Sequence, residues 1–317
     1  MYYEYQEKIP SDKNFRLFRN KDAIRFHWDI ITHCNFKCPY CYARAKEGNW
    51  FKISSLELIK KTLKKLEKIQ KPLEIILLGG EPTLHPKYFE IIEEVSKLPQ
   101  DLEFGIISNG MFKDPLKFIQ KHKKYNKNFS FSITFHPSQH NDKSIQEFKN
   151  NLKIINDEGF LLNVNIILDK IENDKIIREI LDFLKLNNIG FYYNVPFFSN
   201  DFYVEHFDIS DNYKKWLLDI NLEYMGQKEL KYYRKDKENI YNDIDVVLNN
   251  LQDFKGWTCK NNNFEIKAGT SDFIRMCSSG SEKYTVQDIN NLKDMICPLN
   301  KCLCQGLLSN EKIRTTK

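Results

Sequence analysis

Segments of strand-like apolar pattern alternate with segments of helical spacing over residues 23–196. In the first predicted helix, Leu56, Ile59 and Leu63 keep helical spacing behind a capping-box sequence at 54–57. Such alternation is typical of a parallel sheet covered by helices. Six strands do not close an eight-stranded barrel, so the pattern predicts an α/β fold with a partial (βα)6 barrel of the TIM type. The predicted strands are 24–31, 73–78, 102–108, 129–136, 161–168 and 190–196, and the predicted helices are 54–70, 87–98, 115–121, 144–157 and 174–186.

The rest of the chain divides around this predicted core. Residues 1–22 form a polar and aromatic N-terminal extension, and residues 23–196 form the partial barrel. Residues 197–254 mix lysines, acids and aromatic residues in a helical pattern, which predicts a helical bridging segment over 197–255. From residue 256 to 317 cysteines become dense and periodicity fades, so we expect a small C-terminal domain organised by a metal.

Polar and reactive residues follow the predicted strands at their carboxyl ends. Three cysteines follow the first strand, and Gly79–Glu81 follow the second. Ser108 and Asn109 end the third strand, and Thr134 and His136 end the fourth. Because parallel sheets of this type gather their functional loops at the carboxyl ends of the strands, these residues are candidates for one active site.

Composition narrows the classes of protein that fit this pattern. The 317-residue chain is 41% hydrophobic and 29% charged, with a formal net charge of +5. Its lysines are scattered among acids on helical faces, which does not indicate nucleic-acid binding. The first residues lack the apolar stretch of a signal peptide, and no apolar run is long enough to cross a membrane, so we expect a cytoplasmic protein. In a reducing compartment, the eight cysteines are better explained as metal ligands than as disulfides.

The first cysteine group has the spacing Cys-x3-Cys-x2-Cys, formed by Cys34, Cys38 and Cys41. Three thiolates on one short loop can ligate three irons of a [4Fe-4S] cubane, which leaves the fourth iron open to another ligand. A structural zinc site would need a fourth protein ligand. Zinc or unligated thiols remain the alternative interpretation of this loop.

These cysteines, with Tyr40 before the last of them and Gly79-Gly80-Glu81-Pro82 after the second strand, resemble the radical S-adenosylmethionine (SAM) superfamily over about residues 24–196. The resemblance implies a [4Fe-4S] cluster whose open iron binds SAM, and cleavage of SAM to a 5′-deoxyadenosyl radical that abstracts a substrate hydrogen. It also implies an electron donor such as flavodoxin or ferredoxin. The SAM-binding positions implied are Tyr40 beside the adenine, Gly79, Gly80 and Glu81 around the methionine ammonium group, and Ser108, Asn109 and Thr134 as further polar contacts.

The second cysteine group lies after the predicted core. It resembles the auxiliary iron–sulfur domains called twitch or SPASM domains, and its size favours one auxiliary [4Fe-4S] cluster. A structural zinc site is the alternative, and the sequence does not decide which four cysteines would be the ligands. The group comprises Cys259, Cys277, Cys297, Cys302 and Cys304.

His136 is a candidate catalytic residue, because a histidine at the mouth of the barrel could move a substrate proton near neutral pH; a plain turn histidine before Pro137 is the alternative.

A sugar, a nucleotide-linked sugar or another small molecule is the leading hypothesis for the substrate. The second hypothesis is a maturase of a ribosomally made peptide, although few residues precede Cys34 to form a peptide-recognition domain. The third is a non-catalytic iron–sulfur electron carrier. The Gly79–Pro82 motif argues against it, because an electron carrier needs no SAM site.

Overall fold

The computed structural model describes ten stretches of the chain. In the core these are residues 23–41 and 51–195. The others are 2–7, 210–224, 228–234, 237–242, 255–259, 262–275, 283–298 and 312–313. Cys277, Cys302 and Cys304 lie outside the described residues.

The main sheet contains the six predicted strands, all parallel and in chain order across the sheet. This arrangement confirms the predicted α/β fold with a partial barrel. With β1 assigned to the N-terminal strand Tyr2–Glu7, the core strands are β2 (Ile24–Ile31), β3 (Leu73–Gly79), β4 (Leu102–Ser108), β5 (Phe129–Phe135), β6 (Leu161–Ile167) and β7 (Gly190–Asn194).

Five helices connect these strands and cover one face of the sheet. The alternating residues of the strands on that face, such as Phe26, Trp28 and Ile133, are completely buried in one core with the apolar stripes of the helices. Side chains accept hydrogen bonds from backbone amides at several helix starts, as Ser55 does from Leu58. The helices are α1 (Leu56–Leu66), α2 (Tyr88–Val95), α3 (Pro115–His122), α4 (Asp142–Asp157) and α5 (Asp174–Leu186).

The opposite, inner face of the sheet carries polar side chains at the alternate positions. Ser132 is in register with Asn163, and Thr134 is in register with Asn165. The Ser132 hydroxyl donates to Asn163 Oδ1 over 2.9 Å, and Asn194 Nδ2 donates to Asn165 Oδ1 over 3.0 Å. On β5 to β7 the inner face is therefore lined by neutral hydrogen-bonding groups.

The C-terminal part of the chain extends the same sheet beyond its first strand. The hairpin of β11 (Asn263–Ile266) and β12 (Phe273–Arg275) places β11 parallel to β2, and β13 (Lys283–Tyr284) adds to β12. Phe264 packs on Phe26 with ring centroids 5.6 Å apart. The edge of the barrel at β2 is thus covered by residues from far along the chain.

The expected helical segment over 197–254 is wrong in part. Asp211–Tyr224 is a helix, α6, but Lys228–Arg234 (β8) and Lys237–Asn242 (β9) are antiparallel strands. β8 also pairs with β1, a partner that no local pattern of lysines and acids reveals.

A second sheet has the order β14-β10-β15-β1-β8-β9. Its remaining strands are β10 (Thr258–Cys259), β14 (Met295–Ile296) and β15 (Lys312–Ile313), and a short helix, α7, spans Val286–Asn290. Among the described residues, every helix is too short or too polar to cross a bilayer.

Candidate active site

The cysteine loop begins where β2 ends and lies at the carboxyl edge of the main sheet. The Cys38 side chain is buried, whereas Cys34 and Cys41 are partly exposed. Burial, with a smaller effect of the neighbouring thiols, raises the pKa of Cys34 to about 11 and that of Cys38 to about 12. These groups would ionise at neutral pH only with cations bound among them, which is what an iron–sulfur cluster supplies.

The three thiols suit a cluster through the chemistry of their donors. Cys34, Cys38 and Cys41 are soft sulfur ligands on one short loop, and a [4Fe-4S] cubane takes one thiolate for each iron. The loop could therefore hold three irons of such a cluster.

Gly79 and Gly80 let the end of β3 lie directly against the start of this loop. A Cβ atom on Gly79 would be 2.0 Å from the carbonyl oxygen of Ile31, and one on Gly80 would be 2.1 Å from that of His33. The Gly80 amide donates to Ile31, and the Glu81 amide donates to His33, each over 2.8 Å. The glycines are thus required by backbone packing, independently of any contact with a ligand.

The Glu81 carboxylate joins the ends of β3 and β4. It is buried and accepts hydrogen bonds from the amide and hydroxyl of Thr83, from the Ser108 hydroxyl at 2.9 Å and from the Asn109 amide at 2.8 Å. Burial raises its pKa, against the opposing effect of these donors. Glu81 therefore fixes the position of Ser108 and Asn109, whatever further contact it makes.

Asn109 extends this network to the cysteine loop. Its Nδ2 donates to Asn35 Oδ1 over 2.7 Å and lies 4.0 Å from Cys34 Sγ. Asn35 occupies the first spacer position of the Cys-x3-Cys pattern. The carboxyl end of β4 and the cysteine loop are consequently linked through side chains, as the placement of Asn109 at a strand end suggested.

Tyr40 and His136 form a pair on the other part of the loop. Tyr40 Oη and His136 Nδ1 are 3.2 Å apart, and the two rings stack with centroids 5.8 Å apart at 24°. Phe36 meets the His136 ring edge-on at 6.0 Å. Burial and the neighbouring His140 lower the pKa of His136 to about 4, so its imidazole is neutral at neutral pH.

Asp29 is an inner-face residue that our sequence analysis did not single out. It is 7% exposed, and its Oδ1 has no hydrogen-bond partner. Lys267 Nζ lies 3.3 Å from the other carboxylate oxygen and also pairs with Glu265. Burial raises the pKa of Asp29 to about 6 despite Lys267. The sequence does indicate the inner face of β2, because three polar residues alternate with apolar ones along it: Arg25, His27 and Asp29.

Two cysteines of the second group lie on neighbouring strands. Cys259 ends β10 and pairs in register with Met295 of β14, and Cys297 follows β14 directly. Both side chains are buried, and the Cys297 amide donates to the carbonyl oxygen of Trp257. The paired strands therefore bring Cys259 and Cys297 into the same small part of the second sheet.

A sheet with this order, carrying a three-cysteine loop and a glycine-rich strand end at one edge, defines an enzyme fold of the radical SAM type. In agreement, residues 28–184 match the family described as Radical SAM superfamily, so the chain contains a domain of that superfamily. The family implies a [4Fe-4S] cluster and SAM, and it indicates that the chain is an enzyme.

Two curated relatives are named GTP 3′,8-cyclase. The protein of Microcystis aeruginosa is 30% identical over 90 residues, which are 27% of each chain. That of Staphylococcus epidermidis is 26% identical over 179 residues, which are 50% of each chain. The chain thus spans about a quarter to a half of the length of the curated relatives it matches.

A solved structure described as native anSMEcpe with bound AdoMet and Kp18Cys peptide shares the fold. Its TM-score is 0.54 at 12% identity, over 83% of this chain and 78% of that one. At this identity the similarity shows the fold alone.

Proposed function

We propose that this protein cleaves SAM reductively at the cysteine loop and uses the resulting radical to remove a hydrogen atom from a small, hydroxyl-rich substrate. The observation that carries the first part is the loop itself. Its three thiols lie on one short loop that Gly80, Glu81 and Asn109 hold at the sheet edge, and burial raises the pKa of two of them, Cys34 and Cys38. Bound there, a reduced [4Fe-4S] cluster would supply the electron that breaks a carbon–sulfur bond of SAM.

Cys34, Cys38 and Cys41 are the proposed cluster ligands. Among the proposed SAM contacts, Tyr40 would lie beside the adenine, and the Gly79–Glu81 segment would receive the methionine ammonium group. Since the Glu81 carboxylate already accepts from four donors, backbone carbonyls of that segment are the better acceptors for the ammonium. Ser108, Asn109 and Thr134 complete the proposed polar surroundings of SAM.

The inner face of the barrel supports the second part of the proposal. Its neutral hydroxyl and amide groups on β5 to β7 suit a substrate that both donates and accepts hydrogen bonds, such as a sugar or a nucleotide-linked sugar. Its cations, among the described residues, are already paired: Arg25 with Glu74 at 2.6 Å, and Lys267 with Asp29 and Glu265. A triphosphate such as GTP would need unpaired cations, so GTP fits this face poorly.

An auxiliary [4Fe-4S] cluster at the second cysteine group and an external flavodoxin or ferredoxin are further parts of the proposal. The burial of Cys259 on β10 and of Cys297 directly after the neighbouring β14 supports the auxiliary cluster. A cluster so placed could accept an electron during substrate oxidation or shape the pocket. A peptide substrate is the second hypothesis, and the substrate assay below distinguishes it.

The decisive experiment is anaerobic incubation of the reconstituted protein with SAM and dithionite. We expect slow formation of 5′-deoxyadenosine and methionine, measured by chromatography, and neither product from a Cys34→Ala/Cys38→Ala/Cys41→Ala variant. A reconstituted, reducible protein that cleaves no SAM, alone or with cell extract, would be an electron carrier instead.

The substrate class is tested by the acceleration of the same reaction. The low-mass fraction of a cell extract should accelerate 5′-deoxyadenosine formation, whereas GTP at the same concentration should not. Acceleration by GTP would contradict the proposed substrate class. Acceleration only by a fraction that protease treatment inactivates would favour the peptide hypothesis.

A further inference from the structure

The turn at residues 136–140, which follows β5, touches the cysteine loop at several of its spacer residues. His136 contacts Tyr40 and Phe36, as described above. His140 meets the Phe36 ring edge-on with centroids 5.4 Å apart. The Lys37 amide donates to the Gln139 side chain over 2.9 Å. The loop is therefore supported by the end of β5 as well as by the ends of β3 and β4.

We propose that His136 is a positioning residue for the SAM site, which holds the Tyr40 ring, and with it the Cys38–Cys41 part of the loop, in the orientation that receives the adenine. The inference rests on the proposed function, because it takes the cysteine loop as the place where SAM binds.

Two independent contacts fix the Tyr40 ring on His136. The hydrogen bond restrains the hydroxyl end of the ring, and the 24° stacking restrains its plane. Burial raises the pKa of the Tyr40 phenol far above its usual range, so it remains protonated and can donate to the neutral imidazole. A ring ordered in this way before SAM arrives needs no ordering when SAM binds, which favours affinity.

The same geometry disfavours proton transfer by His136. Its Nδ1 is engaged by Tyr40, and a group that is neutral down to about pH 4 is a weak base at pH 7. The hydrogen-bonding part of the positioning role needs only an acceptor or donor atom at the place of Nδ1, whereas the stacking part needs a ring. An asparagine can supply such an atom without titrating in this range.

The test compares His136→Phe with His136→Asn in the anaerobically reconstituted protein. Loss of one neutral hydrogen bond in His136→Phe should raise the Kd for SAM about 3- to 10-fold, measured by calorimetry, with unchanged iron content. His136→Asn should recover part of this loss, because it supplies a hydrogen-bonding atom but not the stacked ring. Tyr40→Phe should match His136→Phe, and the double variant should be no weaker than either single variant, because both remove one interaction.

His122→Phe is the matched control. His122 Nε2 and Tyr88 Oη form a similar pair, 2.8 Å apart, in the core on the helix-covered side of the sheet. Its loss should lower the melting temperature without changing the Kd for SAM. Circular dichroism of each variant checks that the fold is retained.

Two results would overturn the inference while leaving the proposed function in place. One is an unchanged Kd for SAM in both His136→Phe and Tyr40→Phe. The other is a His136→Asn variant that binds SAM normally but has lost cleavage or substrate turnover, which would assign His136 to proton transfer. A wild type that fails to bind SAM would overturn the proposed function itself.

Discussion

The backbone amide of Asn109 donates to Oε2 of Glu81 over 2.8 Å, and this bond joins the ends of two neighbouring strands beneath the cysteine loop. The other carboxylate oxygen accepts from Thr83 and Ser108. The Glu81 side chain thus organises several candidate SAM contacts at once.

Replacing Glu81 with alanine should destabilise the fold as well as weaken SAM binding. Several buried donors would lose their acceptor, so we expect the free energy of unfolding to fall by about 3 kcal/mol. Urea unfolding followed by circular dichroism measures this change. Glu90→Ala, which removes an exposed partner of Lys87, is the control and should cost at most about 0.5 kcal/mol.

The two roles of Glu81 can be separated by the pattern of effects. If Glu81→Ala weakens SAM binding but leaves stability unchanged, the carboxylate acts on SAM directly and its links to β4 are unimportant. Ser108→Ala should lower stability by about 1 kcal/mol, because it removes one donor and leaves the others in place.

Replacing Gly80 with alanine should displace the cysteine loop. The new Cβ would overlap the backbone of His33, one residue before the first cysteine, and backbone cannot move aside as a flexible side chain can. We expect a loss of more than about 3 kcal/mol of stability, together with reduced iron content after reconstitution.

Gly159→Ala is the control for this substitution. Gly159 has a φ of +76°, but nothing lies within 4 Å of its Cβ position, so a cost of only about 1 kcal/mol is expected. Equal iron content in Gly80→Ala and wild-type protein would show that the loop does not depend on this close approach.

Asp29 should make the protein less stable as the pH rises. Its pKa is about 6 in the fold and about 3.8 as a free side chain, so the folded chain retains a proton that the unfolded chain has released. The free energy of unfolding therefore decreases as the pH rises from about 4 to about 6, and the whole decrease is present above pH 6. Asp29→Asn should stabilise the protein by about 1–3 kcal/mol at pH 7.5 and by almost nothing at pH 4.

Urea unfolding at several pH values measures this difference. Asp142→Asn is the control, because Asp142 is an exposed carboxylate in the first turn of α4. Its replacement should lower the free energy of unfolding by about 0.5 kcal/mol. Destabilisation by Asp29→Asn at pH 7.5 would show that the ion pair with Lys267 outweighs the burial of the carboxylate.

Iron content should divide between the two cysteine groups. We expect the reconstituted wild type to hold close to two [4Fe-4S] clusters and the triple alanine variant of the first group to hold about half of that iron. Cys259→Ala/Cys297→Ala should lose the other half and still form 5′-deoxyadenosine in the absence of substrate. Iron and sulfide analysis with Mössbauer spectroscopy checks both values. Full iron in the triple variant would exclude the first group as cluster ligands.

Much of the barrel could be predicted because its signals are local. Apolar strand-like segments located the strands, and a capping-box sequence at 54–57 located the start of α1. The helix predicted from residue 144 begins at Asp142, behind an Asn141 cap that the prediction did not include. The placement of Glu81 and Asn109 at one sheet edge followed from the parallel order of the strands. Their mutual hydrogen bonds did not, because strand ends specify position but not side-chain partners.

The parts that the sequence did not reveal depend on partners distant in the chain. β8 and β9 are rich in lysine and acids, and their strand structure comes from pairing with each other and with β1. The contact between His136 and Tyr40 could not be predicted from the sequence, because it depends on two loops meeting. Asp29 was hidden within an apolar strand, where only its polar neighbours at alternate positions indicated the inner face.

The parallel pairing of β11 with β2 has a consequence for biosynthesis. Asn262 Nδ2 donates to the carbonyl oxygen of Ala23 across 239 residues of sequence, so this edge of the barrel is completed only after most of the chain has left the ribosome. Until then β2 is an unprotected edge strand, a template for association between nascent chains. A chain cut short before residue 262 leaves this edge unpaired and should aggregate more readily than the full chain.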